Sequence, residues 1–261
     1  MSKKKTKRKL SNKEPEKHLT VYLKQNAGRS NSGRITIRHR GGGAKRLYRI
    51  VDFGQERKGI KGEVIAVEYD PNRTAYLALI KYENGDRRYI LAPSAIKVGD
   101  TIICDNETEV KVGNRMKLKN MDPGTQAYNV SLNPQEEGVM MRAAGTSAKV
   151  MSHEEKYTIL KMASGEVRKI LGECFASIGQ VSHPESKFEK KGKAGVRRRK
   201  GWRPSVRGTA MNTIDHPHGG GNGKTSIGMK HPKTPWGKNA YGVKTRKPNK
   251  ASDKLIIKRR K

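Results

Sequence analysis

Residues 213–228, TIDHPHGGGNGKTSIG, gather two histidines, three consecutive glycines and a Gly-Lys-Thr in one short run. Four kinds of chemistry use such residues. A nucleoside-triphosphate loop needs Gly-x-x-x-x-Gly-Lys-Ser/Thr after a buried strand, so that backbone N–H groups cradle phosphates. Ending that pattern at Gly223-Lys224-Thr225 demands glycine at 218, where His218 stands, and the preceding MNTIDHP is no apolar strand. The pattern fails on both counts. A metal site would draw on His216, His218, His231 and Asp215, but Pro217 limits how the first two converge, and no cysteine stands nearby to complete the set. Catalysis by a histidine needs a base held in one tautomer beside a nucleophile or substrate. Asp215 adjoins His216, yet Ser205, Thr209 and Ser226 form no recognisable motif with the pair. Neither a metal ligand nor a catalytic residue is assigned.

The fourth chemistry, contact with RNA, accounts for more of the run. Gly219, Gly220 and Gly221 let backbone N–H groups approach phosphate without side-chain obstruction. Lys224, Lys230 and Lys233 supply positive charge, while His216, His218 and Trp236 can stack on or hydrogen-bond to unpaired bases. The same chemistry recurs in RHRGGGAKR, where Gly41, Gly42 and Gly43 sit between Arg38, His39, Arg40 and the pair Lys45, Arg46. RNA is favoured over DNA because nothing resembles a recognition helix, and loops on β structure suit single strands and irregular shape.

What must position these residues is visible in the charge distribution. The 261 residues carry a formal net charge of +33, an imbalance that repels itself unless a polyanion neutralises it. Residues 1–46 hold 15 Lys/Arg and 2 acids, residues 47–190 hold 21 and 20, and residues 191–261 hold 21 and 2. A nearly neutral middle therefore carries two basic ends. No run of about 18 apolar residues exists to span a bilayer, and the N-terminal MSKKKTKRKLSNKEPEK lacks the apolar stretch of a secretory signal. Cys104 and Cys174 stand far apart among apolar residues and read as reduced, buried thiols of a cytosolic protein.

The middle reads as strand. GEVIAVEYD (62–70), TAYLALIKY (74–82), RRYILAP (87–93) and VGDTIICD (98–105) form one group, with turns at Asp70-Pro71-Asn72 and Asn84-Gly85. AYNVSLN (127–133), KYTILKM (156–162), EVRKIL (166–171) and CFASIGQV (174–181) form a second, with a turn at Ser164-Gly165. Short strands at this spacing suggest small barrels, which close their own edges. The polar run GNRMKLKNMDPG (113–124) is the expected division between them, and Tyr69, Leu77 and Ile90 are expected in the core. The ends are rich in Gly, Pro, Asn, Lys and Arg and cannot bury enough apolar surface to offset ordering entropy. Trp202, Met211, Met229 and Trp236 point to an extended segment that orders on a partner, whereas KPNKASDKLIIKRRK fits disorder.

GRITIRHRGGGAKRLYRIVDF, VEYDPNRTAYLALIKYENGDRRYILAP, MRAAGTSAKV, SGEVRKILGECFASIGQV, RPSVRGTAMNTIDHPHGGGNGK and HPKTPWGKNAYGVKTRK together closely resemble the bacterial-type version of the universal family of large-subunit ribosomal protein two. The likeness is collinear over roughly residues 28–248. It implies a mainly β fold in which an OB-fold-like barrel (31–112) precedes an SH3-like barrel (113–190). A basic N-terminal extension (1–30) and a basic Gly/Pro-rich C-terminal extension (191–261), both lacking a core, complete it. It implies primary binding of large-subunit rRNA near the peptidyl transferase region, with support of subunit association, tRNA binding and peptide-bond formation.

Implied partners are large-subunit rRNA, small-subunit rRNA at an intersubunit bridge, and neighbouring ribosomal proteins, with neither a membrane nor a small-molecule substrate. The implied location is the ribosome, taken as cytoplasmic, with an organellar ribosome as the alternative. No cofactor is implied beyond Mg2+ shared with rRNA phosphates. The family's Asp-His-Pro-His motif, considered for peptidyl transfer, falls on His216 and His218 here and is read as structural support of RNA, not as an enzyme site.

The residues expected to touch RNA are Arg34, Arg38, His39, Arg40, Gly41, Gly42, Gly43, Lys45 and Arg46 in the first basic segment, and Arg142 in the middle. In the last segment they are Arg197, Arg198, Arg199, Lys200, Trp202, Arg203, Arg207, Met211, Asn212, His216, His218, Gly219, Gly220, Gly221, Lys224, His231, Lys233, Trp236, Lys244 and Arg246. Three alternatives stay open at this level. Arg197–Lys200 could be a solvated charge run or a localisation signal, Trp202 and Trp236 could pack on a barrel, and Arg142 could pair with an acid. Glu136 and Glu137 repel phosphate, so no RNA contact is assigned to NPQEEG (133–138).

Overall fold

The computed structural model describes residues 10–11, 13–190, 192–222 and 225–260. They form two compact units: one from the described residues within 1–23, 46–190 and 251–261, the other from those within 24–45 and 191–250. The fold is mainly β. These units cut across the four segments drawn from sequence, since both strand groups share the first unit and the two basic segments combine in the second.

In the first unit, β1 (Thr20–Tyr22) pairs antiparallel with β2 (Leu47–Arg49), in register Thr20↔Arg49 and Tyr22↔Leu47. Next come β3 (Gly62–Glu68), β4 (Leu77–Tyr82), β5 (Arg87–Leu91) and β6 (Thr101–Ile102), an antiparallel sheet in the order β5-β4-β3-β6. Its turns follow the local chemistry. Asp70 Oδ1 accepts the Asn72 N–H at 2.9 Å, and Gly85 adopts φ +86°, a conformation glycine takes without strain, to close the β4–β5 hairpin. Alternate side chains leave opposite faces of a strand. Leu77, Leu79, Tyr89 and Leu91 accordingly join one core, and Ala78, Ile80, Ile90 and Ala92 another. Both faces are covered, which is why these strands read as nearly unbroken apolar runs.

Farther along lie β7 (Arg115–Lys117), β8 (Gln126–Tyr128), β9 (Val130–Ser131), β10 (Gly138–Met140), β11 (Ala148–His153), β12 (Tyr157–Lys161), β13 (Val167–Leu171) and β14 (Phe175–Ile178). With β15 (Ile256–Lys258) most of them make a seven-stranded sheet in the order β15-β13-β12-β11-β8-β14-β7, while β9 and β10 pair separately. Met116, Leu118, Val150, Leu160, Ala176 and Ile178 belong to its core. Cys104 and Cys174 are buried and unpaired, as their apolar neighbours suggest.

Three points add to or correct the expectations. The run 113–124, expected between the two strand groups, is itself structured. It supplies β7 and a 3-10 turn (Leu118–Asn120), with Met116, Leu118 and Met121 buried. Tyr128 and Val181 from the second strand group pack into the core with Leu77 and Leu91, and the Ser182 N–H donates to the Ala92 carbonyl at 2.9 Å. Secondly, the final residues are not without structure, because Ile256 and Lys258 pair with Arg168 and Val167 and extend the sheet. Thirdly, Tyr69 is exposed while Leu77 and Ile90 are fully buried. Alternation explains it: Glu68 takes the inward position, where Arg49 and Tyr89 satisfy its carboxylate.

The second unit is built otherwise. It holds 22 Lys/Arg against one acid, Asp215. Its one α-helix among the described residues, α1 (Ala194–Arg199), is six residues long. Among the unit's described residues only His216 is buried. It is compact without a hydrophobic core.

Candidate nucleic-acid interface

Residues 24–45 leave the first unit after β1 and re-enter it before β2, so the β1–β2 ladder brackets one basic segment of the second unit. That segment is closed on its own backbone: the Thr36 and Ile37 N–H groups both donate to the Gly28 carbonyl, at 2.9 and 3.0 Å. It joins the segment around α1. The Gly41 N–H donates to Gly201 O at 2.9 Å, the Ala44 N–H to Arg199 O at 2.9 Å, and the Arg203 N–H to His39 O at 3.0 Å. Gly41 and Gly42 have φ of +126° and +66°. A Cβ on Gly43 would stand 3.1 Å from the Gly201 Cα, so two backbones meet there with no room for a side chain. The first glycine triplet lets one basic segment close on the other.

The second triplet has a similar internal task. The Gly219 N–H donates to His216 O at 2.8 Å and the Gly220 N–H to Met211 O at 3.1 Å. A Cβ on Gly219 would overlap the Asn212 carbonyl oxygen, and one on Gly221 would overlap Thr225 Oγ1. Two of the three N–H groups expected to face phosphate are therefore already bonded within the chain. Lys224 lies outside the described residues.

Both histidines of the motif are engaged as well. His216 Nδ1 accepts the His218 N–H at 3.0 Å, and His218 Nε2 accepts the Lys233 N–H at 2.8 Å. Their rings lie 4.6 Å apart, tilted by 58°, and the His216 ring covers Gly208 so closely that a Cβ there would collide with it. An accepting nitrogen carries no proton. Each ring thus spends one lone pair on holding the loop 208–233 together. His216 is buried as well as clasped, whereas His218 is half-buried. Among the described residues no three His, Cys, Asp or Glu side chains gather as a metal site.

Other assigned residues are outward. Arg34, Arg38, Arg40, Lys45, Arg197, Arg199, Lys200, Arg203, Arg207, Asn212, His231, Lys244 and Arg246 are exposed, and Arg198 and Met211 are half-buried. Trp236 is 77% exposed, with Arg38 Cζ 5.5 Å from its ring centroid. Trp202 is bridged to Arg40, whose Cζ lies 3.9 Å over the indole, a cation–π distance. His39 sits at φ +63° with Nδ1 3.1 Å from Pro204 O, and Lys233 Nζ donates to Asn239 Oδ1 at 2.7 Å.

Two assigned residues fall outside this unit. Arg46 Nη1 donates to Pro71 O at 3.1 Å, and Arg142 Nη1 donates to Gly138 O at 3.1 Å with Cζ 4.0 Å from the Phe53 ring. Arg142 is thus held by a carbonyl and an aromatic face, neither of which its sequence context named.

Sequence reasoning passed over the exposed apolar side chains between the cations: Ile35, Ile37, Val206, Ile214 and Tyr241. The alternation of arginine with isoleucine in RITIRHR was the available signal, and it resembles an ordinary strand. One carboxylate cannot neutralise twenty-two cations, so the unit's chemistry is that of a polyanion-binding surface. Residues 16–104 match the family model described as Ribosomal Proteins L2, RNA binding N-terminal domain, and residues 111–237 match Ribosomal Proteins L2, C-terminal domain.

Proposed function

The chain belongs to the ribosomal protein L2 family, and from that premise we propose that it is a primary rRNA-binding protein acting near the peptidyl transferase region without itself catalysing. It is a protein of the large ribosomal subunit that binds RNA. On our reading the cationic unit threads into large-subunit rRNA, while the β unit carries it and pairs its own charges internally. Contact with small-subunit rRNA at an intersubunit bridge, support of tRNA binding and peptide-bond formation, and contact with neighbouring ribosomal proteins follow the same reading. So does a cytoplasmic ribosome as its location, with no cofactor beyond any magnesium shared with rRNA phosphates.

One observation carries this: a unit with 22 Lys/Arg and one acid is compact with a single buried side chain among its described residues. A polyanion offsets the self-repulsion of such a unit. The commitment of His216 Nδ1 and His218 Nε2 to backbone donors supports a positioning role over general-base catalysis. Ribosomes assembled with a His216→Ala, His218→Ala chain test both parts. We expect impaired assembly or retention through a high-salt wash, with near-normal single-turnover peptide transfer in the particles that do assemble. Loss of transfer in fully assembled particles would refute the non-catalytic assignment, and release of the parent chain from the large particle at low salt would refute the primary-binding one.

A further inference from the structure

Within the cationic unit one cavity has walls of two opposite kinds. Its volume is about 470 Å³, in the range of sites that take small molecules. Ile35 and Ile37 line it and are 59% and 60% exposed. Arg38, His39, Arg203 and Gly42 line it as well. The walls are fixed to one another by backbone bonds, from the Arg203 N–H to His39 O and from Ile37 N–H to Gly28 O.

His39 holds a left-handed conformation that costs a non-glycine residue free energy. Its Nδ1 faces the Pro204 carbonyl at 3.1 Å. A carbonyl only accepts, so Nδ1 carries the proton and Nε2 of the neutral ring is an acceptor. Arg40 lies over Trp202, and Arg29 Nη1 donates to Gly33 O at 2.7 Å. All four lining arginines are exposed, and Arg38 Cζ also stands 5.5 Å from the Trp236 centroid; the guanidinium N–H groups of Arg38 and Arg203 are the ones left to offer an anion.

A site for a bare anion has no use for two exposed isoleucines, and a site for an apolar peptide has none for a guanidinium cluster without an acid. A nucleotide uses both, through a flat apolar base and a phosphate that arginine grips with paired N–H groups. A base stacked inside a helix shows only its edge, so the nucleotide must be unpaired and turned out. We propose that this cavity seats one unstacked RNA nucleotide, its base against Ile35 and Ile37 and its phosphate on Arg38 and Arg203. The inference rests on the RNA-binding assignment above and names the form of RNA taken there.

Isoleucine-methyl NMR of the full chain, titrated with AMP and UMP and with ribose 5-phosphate and inorganic phosphate as base-free probes, tests it. The Ile35 and Ile37 methyl signals should move with AMP or UMP, saturating at a concentration at least fivefold lower than with ribose 5-phosphate. Ile37→Ser, at an exposed position, should remove that fivefold advantage while leaving ribose 5-phosphate binding intact. Arg38→Gln with Arg203→Gln should weaken both classes of probe. Binding to deproteinised large-subunit rRNA is measured on the same samples. If both mononucleotides bind no better than ribose 5-phosphate while rRNA is still bound, the nucleotide seat is overturned and the RNA-binding assignment stands. If rRNA is not bound either, both fall.

Discussion

The β1–β2 ladder that brackets residues 24–45 is anchored by a buried ionic cluster whose strength can be worked out from its contacts. Arg49 ends β2, and its Nε donates to Glu68 Oε2 at 3.2 Å, with Nη1 4.0 Å from Asp70 Oδ1. The Tyr89 hydroxyl donates between the two Glu68 oxygens, at 3.1 and 3.0 Å, and accepts the Glu16 N–H at 3.1 Å. Burial pushes that hydroxyl above its ordinary pKa, keeping it a donor. Glu68, Asp70 and Tyr89 are essentially inaccessible.

Glu68→Gln keeps the shape and removes the charge. The guanidinium then has only Asp70 as a nearby charged partner, itself already held by Arg73 Nε at 2.6 Å. Breaking one side of a buried pair costs about 3–5 kcal/mol. Asp70 remains near, so the lower end applies, about 3 kcal/mol. Tyr89→Phe leaves Glu68 its arginine but strands the Glu16 N–H, a loss of about 1–2 kcal/mol. Urea unfolding of the full chain, followed by far-UV circular dichroism, reads both. With a slope of about 2 kcal/mol per molar, the midpoint should fall by about 1.5 M for Glu68→Gln and about half that for Tyr89→Phe. If Glu68→Gln unfolds within 0.5 M of the parent (about 1 kcal/mol at that slope), or Tyr89→Phe costs as much, the cluster is not what holds the β1–β2 ladder.

Other outcomes follow from single features. Burial raises the Cys104 and Cys174 thiols from 9.0 to about 11, so at pH 8 only about one in a thousand is thiolate. Mass spectrometry after iodoacetamide should find both unmodified in the native chain and alkylated in urea. Because the fold favours the neutral thiols, their contribution to stability is complete below about pH 9 and fades as pH climbs to about 11. Gly33→Ala meets empty space at φ +76° and should cost about 1 kcal/mol, leaving RNA affinity unchanged. Gly219→Ala drives a methyl group into the Asn212 carbonyl, which cannot yield, and should weaken binding to large-subunit rRNA at least tenfold in a filter assay. Arg207→Gln, an exposed change, should reduce the slope of log affinity against log salt by about one without altering the circular dichroism spectrum.

Much was legible in the residues alone, for local reasons. Asn84-Gly85, Asp70-Pro71-Asn72 and Ser164-Gly165 name their turns, and the apolar runs between them name β3, β4, β5, β12, β13 and β14. The contrast between a neutral middle and cationic ends followed from counting. So did the family, because several long motifs stand in one collinear order. β11 was missed because AKVMSH shows only the pattern of an edge of the core, with its last three residues outward.

Tertiary structure decided what depends on contacts between distant positions. Nothing local in RHRGGGAKR says that its glycines close against Gly201, nor in DHPHGGG that two of its amides and both histidines are spent inside the chain. Tyr128, 37 residues beyond Leu91, and Val181, farther still, join the core of the first strand group, which no window of sequence reports. Charge and turn chemistry are properties of a residue and its neighbours, whereas which N–H is already bonded, and which isoleucine is left bare beside an arginine, is fixed only when remote segments meet.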